Sequence, residues 1–113
     1  MMEWNDKQPI YQQLKDKIVE GILNGAFPEG EAIPSIRQVA EQYQLNPITV
    51  SKAYQMLVDD HILEKQRGLG MFVKLNVRNQ LHDSERDQFI REEWPKILQR
   101  IEQLGLSKKE LLK

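Results

Sequence analysis

The stretch from Pro34 to Tyr54, PSIRQVAEQYQLNPITVSKAY, constrains the fold more than any other part of the chain. Ser35 and Gln38 have the S-x-x-Q spacing of a capping box, in which the hydroxyl accepts one helix amide and the Gln bonds back to the cap. Asn46 before Pro47 predicts a second helix start, because Asn is a preferred cap and Pro at the first helical position loses no hydrogen bond. The stretch therefore predicts two short helices joined by a tight turn.

Each predicted helix has one apolar face. The faces consist of Ile36, Val39, Ala40 and Tyr43 in the first helix, and of Val50, Ala53, Tyr54 and Leu57 in the second. Helices this short cannot bury enough surface alone, so they must pack against each other and against a third helix. This arrangement is a helix-turn-helix.

The third helix is predicted upstream, over residues 8–24, with Gly25 as a left-handed residue just past its end. Its apolar side chains recur every four residues: Ile10, Leu14, Ile18 and Ile22. Residues 26–33 contain Pro28 and Gly30, which predict a loop.

Downstream, the apolar period changes from helical to alternating. Two short strands are predicted over residues 62–66 and 71–74, with Arg67-Gly68-Leu69-Gly70 as the connection of a hairpin. A lone two-stranded hairpin is marginal in water, so it must pack against the helices. The predicted fold is mainly α with a β-hairpin: a winged helix-turn-helix over residues 1–76, followed by a short C-terminal helical dimerisation segment.

The C-terminal segment, residues 77–113, begins with a polar stretch, 77–83, that predicts a connector before a helix capped by Ser84. Apolar residues of this helix have coiled-coil spacing: Ile90, Trp94, Ile97, Ile101 and Leu104. Gly105 ends the helix, and Ser107 with Glu110 repeats the capping-box spacing. Pro95 removes a helical hydrogen bond, which leaves open one kinked helix or two shorter segments.

The apolar seam predicts a homodimer interface. The domain before residue 76 can fill its own core, so the seam needs another partner, and a second copy is the simplest one. Packing of the seam within one chain is the alternative.

Composition excludes several protein classes. The 113 residues contain no Cys, which excludes disulfides and thiolate metal sites. No apolar run approaches the roughly 20 residues that span a bilayer, and the N-terminus lacks the regions of a signal peptide, so we expect a cytoplasmic protein. His61 and His82 are not accompanied by other potential metal ligands, so we expect no metal or other cofactor. No catalytic motif is present, so we do not expect an enzyme.

Charge gives little support for nucleic-acid binding by itself. The net charge is −1, and the stretch from Ser35 to Lys74 contains five basic and four acidic side chains. A DNA-binding protein of this composition must rely on a few well-placed basic groups rather than on bulk charge.

Four motifs together resemble the GntR family of transcription regulators and span residues 9–74. They are Pro9-Ile10-Tyr11, Ile33-Pro34-Ser35-Ile36-Arg37, Leu45-Asn46-Pro47-Ile48-Thr49-Val50-Ser51-Lys52-Ala53-Tyr54 and Arg67-Gly68-Leu69-Gly70-Met71-Phe72-Val73. The short C-terminal part and the ending GLSKKELLK resemble the YtrA subfamily, whose few C-terminal helices dimerise the protein. The resemblance implies a homodimeric repressor that binds double-stranded operator DNA. Such repressors often control a transporter operon. His61 stands where the family usually has Gly, so we expect a positive φ there.

The resemblance also indicates the DNA-contacting residues. Asn46, Pro47, Thr49 and Ser51 match positions that touch bases or backbone, and Ile48 and Lys52 lie with them at the helix end that enters the major groove. For Asn46 and Thr49 the alternative is a purely structural role in the first turn.

The family's P-S-x-R pattern places Arg37 against a phosphate or a guanine. The alternatives for this side chain are a solvated guanidinium group or an ion pair with Glu41, four residues on. Ser35 could also donate to a phosphate, although its capping role already explains it.

The wing tip forms the remaining group. Arg67, Gly68 and Gly70 suit a contact in the minor groove or a clamp on the backbone. Alternatively, the glycines only make the turn. Lys65 and Lys74 are expected to be general backbone partners.

Two functions from different classes are consistent with the sequence. The first is a dimeric transcription repressor that reads a pseudo-palindromic operator. The second is a winged-helix module that binds protein, which the near-neutral charge favours modestly. A small-molecule effector is left open, because Trp94 and the seam could line an apolar pocket between two copies.

Overall fold

A computed structural model describes residues 4–112. The chain divides into two compact units, Met1–Asn79 and Gln80–Lys113. The first three residues of the N-terminal stretch considered above, and Lys113 at the end of GLSKKELLK, lie outside the described residues.

The first unit contains three helices and then a hairpin, as predicted. Its elements are α1 (Ile10–Leu23), α2 (Ile36–Tyr43), α3 (Pro47–Asp59), β1 (Leu63–Gln66) and β2 (Gly70–Val73). The buried apolar side chains come from every element and include Leu14, Ile18, Ile22, Val39, Ala40, Val50, Ala53, Leu57, Leu63 and Val73. The predicted winged helix-turn-helix is confirmed.

Both predicted caps are present at the starts of α2 and α3. The Ser35 hydroxyl accepts the Gln38 amide at 3.1 Å, and the Gln38 side chain accepts the Ser35 amide at 2.8 Å. The Asn46 side chain accepts the Ile48 amide at 3.0 Å, with Pro47 in the first turn. Gln44 adopts φ +54° and makes the tight turn between the two helices.

Tyr54 connects α3 to the chain that leads into α2. Its side chain is buried, and its hydroxyl donates to the Pro34 carbonyl at 2.6 Å. Burial raises the pKa of the Tyr54 hydroxyl above its ordinary value, because ionisation would place a charge in a poorly solvated site. This bond fixes the start of α2 relative to α3.

The hairpin register pairs Leu63 with Val73 and Gln66 with Gly70. Gly70 therefore opens β2 instead of lying in the connection as predicted, and the turn consists of residues 67–69. Gly68 and Gly70 have φ of +78° and +120°, values that residues with a side chain rarely adopt.

The predicted loop over residues 26–33 runs alongside β2. Ala32 forms a bridge with Phe72, the Gly30 amide donates to the Val73 carbonyl at 2.8 Å, and the Val73 amide donates to the Glu31 carbonyl at 3.0 Å. The loop thus covers the strand edge that a lone hairpin would expose.

Two predicted left-handed residues are confirmed, and Gly105, which was predicted only to end a helix, is left-handed as well. Gly25 follows α1 with φ +86°, and His61 follows the end of α3 with φ +62°. Gly105 has φ +66° after the last long helix. The replacement of the family's usual Gly by His61 therefore leaves the turn intact.

The prediction of a connector over residues 77–83, with a helix start at Ser84, is wrong. A helix, α4 (Val77–Gln88), begins directly after Asn76, whose φ is +66°. Glu29 accepts the Arg78 amide at 2.8 Å and so satisfies one of the helix's first amides. The cap comes from a residue 49 positions away, which local sequence does not reveal.

Pro95 is accommodated by a change in helical hydrogen bonding. A π-helical turn, Phe89–Glu93, follows α4 and leads directly into α5 (Trp94–Gln103), with Pro95 in the first turn of α5. The Trp94 amide donates to the Phe89 carbonyl, five residues back. The structure thus has neither a kinked α-helix nor two separate segments at Pro95. A π turn joins α4 to α5 in one continuous helical run.

The last helix, α6 (Lys108–Leu111), starts at its predicted cap. The Ser107 hydroxyl accepts the amides of Lys109 and Glu110 at 3.1 and 3.4 Å.

Candidate nucleic-acid interface

The exposed face of α3 is built around the first two turns of the helix. At about 100° per residue, Ile48, Lys52 and Gln55 lie opposite the buried stripe of α3. All three are exposed, Ser51 is exposed beside them, and Thr49 is half-buried on the other flank. A helix face of this kind can enter the major groove of B-DNA.

Lys52 is held by a residue of another helix. Its Nζ lies 4.0 Å from the centre of the Tyr11 ring on α1, which is the geometry of a cation–π contact. The contact fixes the ammonium group beside the exposed face of α3 and reduces the number of positions that the long side chain samples. Tyr11 thereby becomes part of the candidate site.

Asn46 uses its side-chain oxygen as a cap, as the structural alternative proposed. Its side-chain amide nitrogen keeps two donor hydrogens that can bond a phosphate. The start of α3 also presents backbone amides and the positive end of the helix dipole, which favour an anion.

Arg37 lies on the exposed first turn of α2. Its Nε is 3.3 Å from the Glu41 carboxylate, and both side chains are largely exposed. The ion pair considered as the alternative is therefore present. Because an exposed pair of this type is worth little, a phosphate can displace Glu41 at small cost. The Ser35 hydroxyl, used as a cap acceptor, retains its hydrogen for donation.

The wing tip is an exposed turn. Arg67, Gly68, Leu69 and Gly70 are all exposed, and the Leu69 amide closes the turn on the Gln66 carbonyl at 2.9 Å. The predicted DNA-contacting residues thus lie on three elements: the start of α2, the first half of α3 and the turn between β1 and β2.

The C-terminal unit carries an exposed apolar stripe. Ile90, Trp94, Ile97 and Leu104 are exposed, and Ile101 is half-buried. Phe89 joins the stripe, because the i→i+5 bonding of the π turn places its ring 6.2 Å from the Trp94 ring. In a regular α-helix, residues five apart point in different directions, so the heptad pattern missed Phe89.

Sequence reasoning left out four other residues that now belong to the candidate site or support it. Tyr11 and Gln55 could be found only from the packing and the exposed face of α3, and Glu29 and Arg78 only from a long-range contact. Glu29, Gln55 and Arg78 belong to none of the quoted motifs, and the motif that contains Tyr11 does not reveal its contact with Lys52.

The site geometry agrees with a comparison against known families. The model of the bacterial regulatory proteins of the gntR family matches residues 10–73, which include all three candidate DNA-contacting elements. The chain belongs to the GntR family. It is a DNA-binding transcription regulator, and relatives named as regulators and repressors place it outside the enzymes.

Two curated GntR-type relatives come from Bacillus subtilis. The regulator YhcF is 29% identical over 97% of this chain and 89% of its own length. The repressor YtrA is 38% identical over 65% of this chain and 56% of its own length.

Solved structures extend the similarity to the C-terminal helices. A GntR-family regulator from Listeria monocytogenes has a TM-score of 0.78 at 25% identity and is matched over 96% of this chain and 94% of its own. YtrA from Sulfolobus acidocaldarius has a TM-score of 0.62 at 31% identity, over 99% and 89% of the two chains. The chain is therefore a YtrA-like GntR regulator.

A third structural relative contains DNA. The AraR DNA-binding domain in complex with operator ORR3 has a TM-score of 0.58 at 27% identity, over 65% of this chain and 88% of that domain.

Within residues 4–112, none of the helices has the length and apolar character needed to cross a membrane.

Proposed function

We propose that this GntR regulator is a homodimeric repressor that binds a pseudo-palindromic operator. The observation that carries the proposal is the exposed face at the start of α3, which contains Lys52, on a helix that is capped by Asn46. In this proposal residues 1–76 bind DNA and residues 77–113 dimerise. The operator complexes of AraR support double-stranded DNA as the partner.

The proposed DNA contacts divide by chemistry. Base edges in the major groove are read from α3, the start of α2 binds a phosphate or a guanine, and the wing tip enters the minor groove or clamps the backbone. The residues proposed for these contacts are Ser35, Arg37, Asn46, Pro47, Thr49, Ser51, Lys52, Arg67, Gly68 and Gly70. Because the net charge is −1, we expect these few groups to supply most of the electrostatic attraction.

The proposed dimer interface is the apolar stripe of the C-terminal unit. It comprises Phe89, Ile90, Trp94, Ile97, Ile101 and Leu104. Burial of these side chains against a second copy would remove a contiguous apolar surface from water, which is the main driving force of association. A two-fold dimer then presents two α3 helices to half-sites about one helical turn apart.

Further parts of the proposal follow from the family. YtrA of Bacillus subtilis is named a repressor, which supports repression rather than activation. We place this chain in the cytoplasm, where a bacterial chromosome is reached, and propose a transporter operon as its target. A small effector would bind where Trp94 lines the dimer interface.

The proposal is tested by selecting binding sites from a random duplex library with the purified protein at low salt. We expect enrichment of a motif with two inverted half-sites. A triple variant, Arg37→Ala with Lys52→Ala and Arg67→Ala, serves as the control and should enrich nothing. Failure of the wild-type dimer to enrich any sequence would favour the alternative, a winged-helix module that binds protein.

A further inference from the structure

Ile48 is a large apolar side chain that is 75% exposed on the first turn of α3. The residues that α3 uses for packing, such as Val50, Ala53 and Leu57, lie on the opposite side of the helix and are fully buried. The core therefore does not account for an isoleucine at this position. A polar residue would solvate better there.

The backbone that carries this side chain is held in place, and its χ1 angle is restricted. The backbone amide of Ile48 donates to the Asn46 side chain at 3.0 Å, which fixes the first turn of the helix. As a β-branched residue, Ile48 has one strongly preferred rotamer in a helix. It also lies one turn before Lys52, at the middle of the exposed face. The result is an apolar group held at the point where α3 would first meet a base pair.

The chemistry of base edges identifies what this group can recognise. In the major groove, the edges of the four bases offer hydrogen-bond donors and acceptors and one apolar group, the C5-methyl of thymine. Isoleucine has no hydrogen-bonding group in its side chain, so the base that it favours is the one that offers an apolar methyl group.

We propose that Ile48 is a specificity-determining residue that contacts the C5-methyl of one thymine in each operator half-site. This proposal rests on the proposed function, since it assigns a base to the same DNA-binding face. It also separates two tasks on α3: Lys52 contributes charge, and Ile48 contributes sequence selectivity.

The test uses the operator obtained from the random-library selection. Each thymine of one half-site is replaced in turn by deoxyuridine, which removes only the methyl group and leaves base pairing unchanged. Wild-type protein should lose about three- to fivefold in affinity at one position, the size expected for one methyl group removed from water. Ile48→Ala should bind both duplexes with affinities that differ less than about twofold.

Two further variants complete the test. Leu75→Ala removes an equally exposed apolar side chain outside α3 and should retain the full deoxyuridine effect. Ile48→Val should retain a reduced effect. An operator whose binding is insensitive to deoxyuridine, or an Ile48→Ala protein that keeps the full sensitivity, overturns the proposal while leaving DNA binding intact. If no operator is selected, the proposed function and this assignment are both wrong.

Discussion

Glu29 caps a helix that begins 48 residues after it, because its carboxylate accepts the Arg78 amide at 2.8 Å. Arg78 in turn donates from its Nε to the Leu23 carbonyl at the end of α1, at 3.1 Å. Arg78 of α4 thus gives a hydrogen-bond donor to a free carbonyl at the end of α1. Glu29 of the linker gives an acceptor to a free amide at the start of α4. The two bonds anchor the beginning of α4 to the DNA-binding unit, with Val77 buried beside them.

Removal of this cap is expected to lower the free energy of unfolding. Glu29→Ala should cost about 1 kcal/mol, the usual value of a helix cap, and Glu29→Gln should cost less because the amide oxygen still accepts. Urea denaturation measures the change. Glu31→Ala, an exposed carboxylate in the same linker, is the matched control and should change stability little. Equal effects of Glu29→Ala and Glu31→Ala would refute the capping role.

Tyr54→Phe should destabilise the protein by about 1 kcal/mol at neutral pH, because the Pro34 carbonyl loses its donor. The raised pKa of Tyr54 means that the folded state favours the neutral phenol. Its contribution to the free energy of unfolding is complete below the pKa of the unfolded state, about 10. The contribution is lost as pH rises through the pKa of the folded state. Urea titrations at pH 7 and above pH about 10 should therefore show the difference between wild type and Tyr54→Phe shrinking. A constant difference would mean that ionisation of Tyr54 is not coupled to folding.

Arg37→Ala should weaken operator binding. If the guanidinium group contacts a base, the loss should be about 1–3 kcal/mol; if it contacts a phosphate, the slope of log affinity against log salt should fall by about one. Glu41→Gln breaks the same ion pair from the other side and should not weaken binding, because it releases Arg37 and removes a negative charge. Gel shifts at several salt concentrations measure both variants. If Arg37→Ala changes neither the operator affinity nor its salt dependence, Arg37 is not a DNA-contacting residue.

Tyr11 is expected to position Lys52 for DNA. Lys52→Ala and Tyr11→Leu should each weaken operator binding, and the double variant should lose less than the sum of the two. The expected coupling is about 0.5–1 kcal/mol, the range of an exposed cation–π contact. Tyr11→Phe keeps the ring face and should behave as wild type. Additive losses in the cycle would show that the contact has no part in binding.

Local chemistry made much of the DNA-binding unit predictable. Ser35 and Asn46 encode helix starts through hydrogen bonds within three residues, Pro47 does so through its fixed φ, and Gly68 encodes a turn through its own backbone preference. The same reasoning failed where partners are distant or geometry is irregular. The start of α4 depends on Glu29 from the linker.

The candidate site shows the same division. Arg37 could be selected from its motif together with its competing partner Glu41, since both lie on one helix. The contact of Tyr11 with Lys52 depends on how α1 packs against α3, which no local pattern specifies. Phe89 entered the apolar stripe only because a π turn replaces regular α-helix before Pro95.

The proposed dimer interface is tested by a charge in the middle of the stripe. Ile97→Glu should raise the dimer dissociation constant by about 100-fold or more, because a carboxylate would be buried without a partner. Gln99→Glu adds the same charge at an exposed position on α5, off the stripe, and should leave the dimer intact. Sedimentation velocity over a range of concentrations measures both.

The most direct test of a dimer acting on one operator is the stoichiometry of the protein on its selected duplex. Sedimentation velocity of the complex should give two chains per duplex for wild type and Gln99→Glu. Ile97→Glu should lose most of the affinity, because its two DNA-binding units no longer arrive together. A single chain bound to the duplex with undiminished affinity would contradict the account.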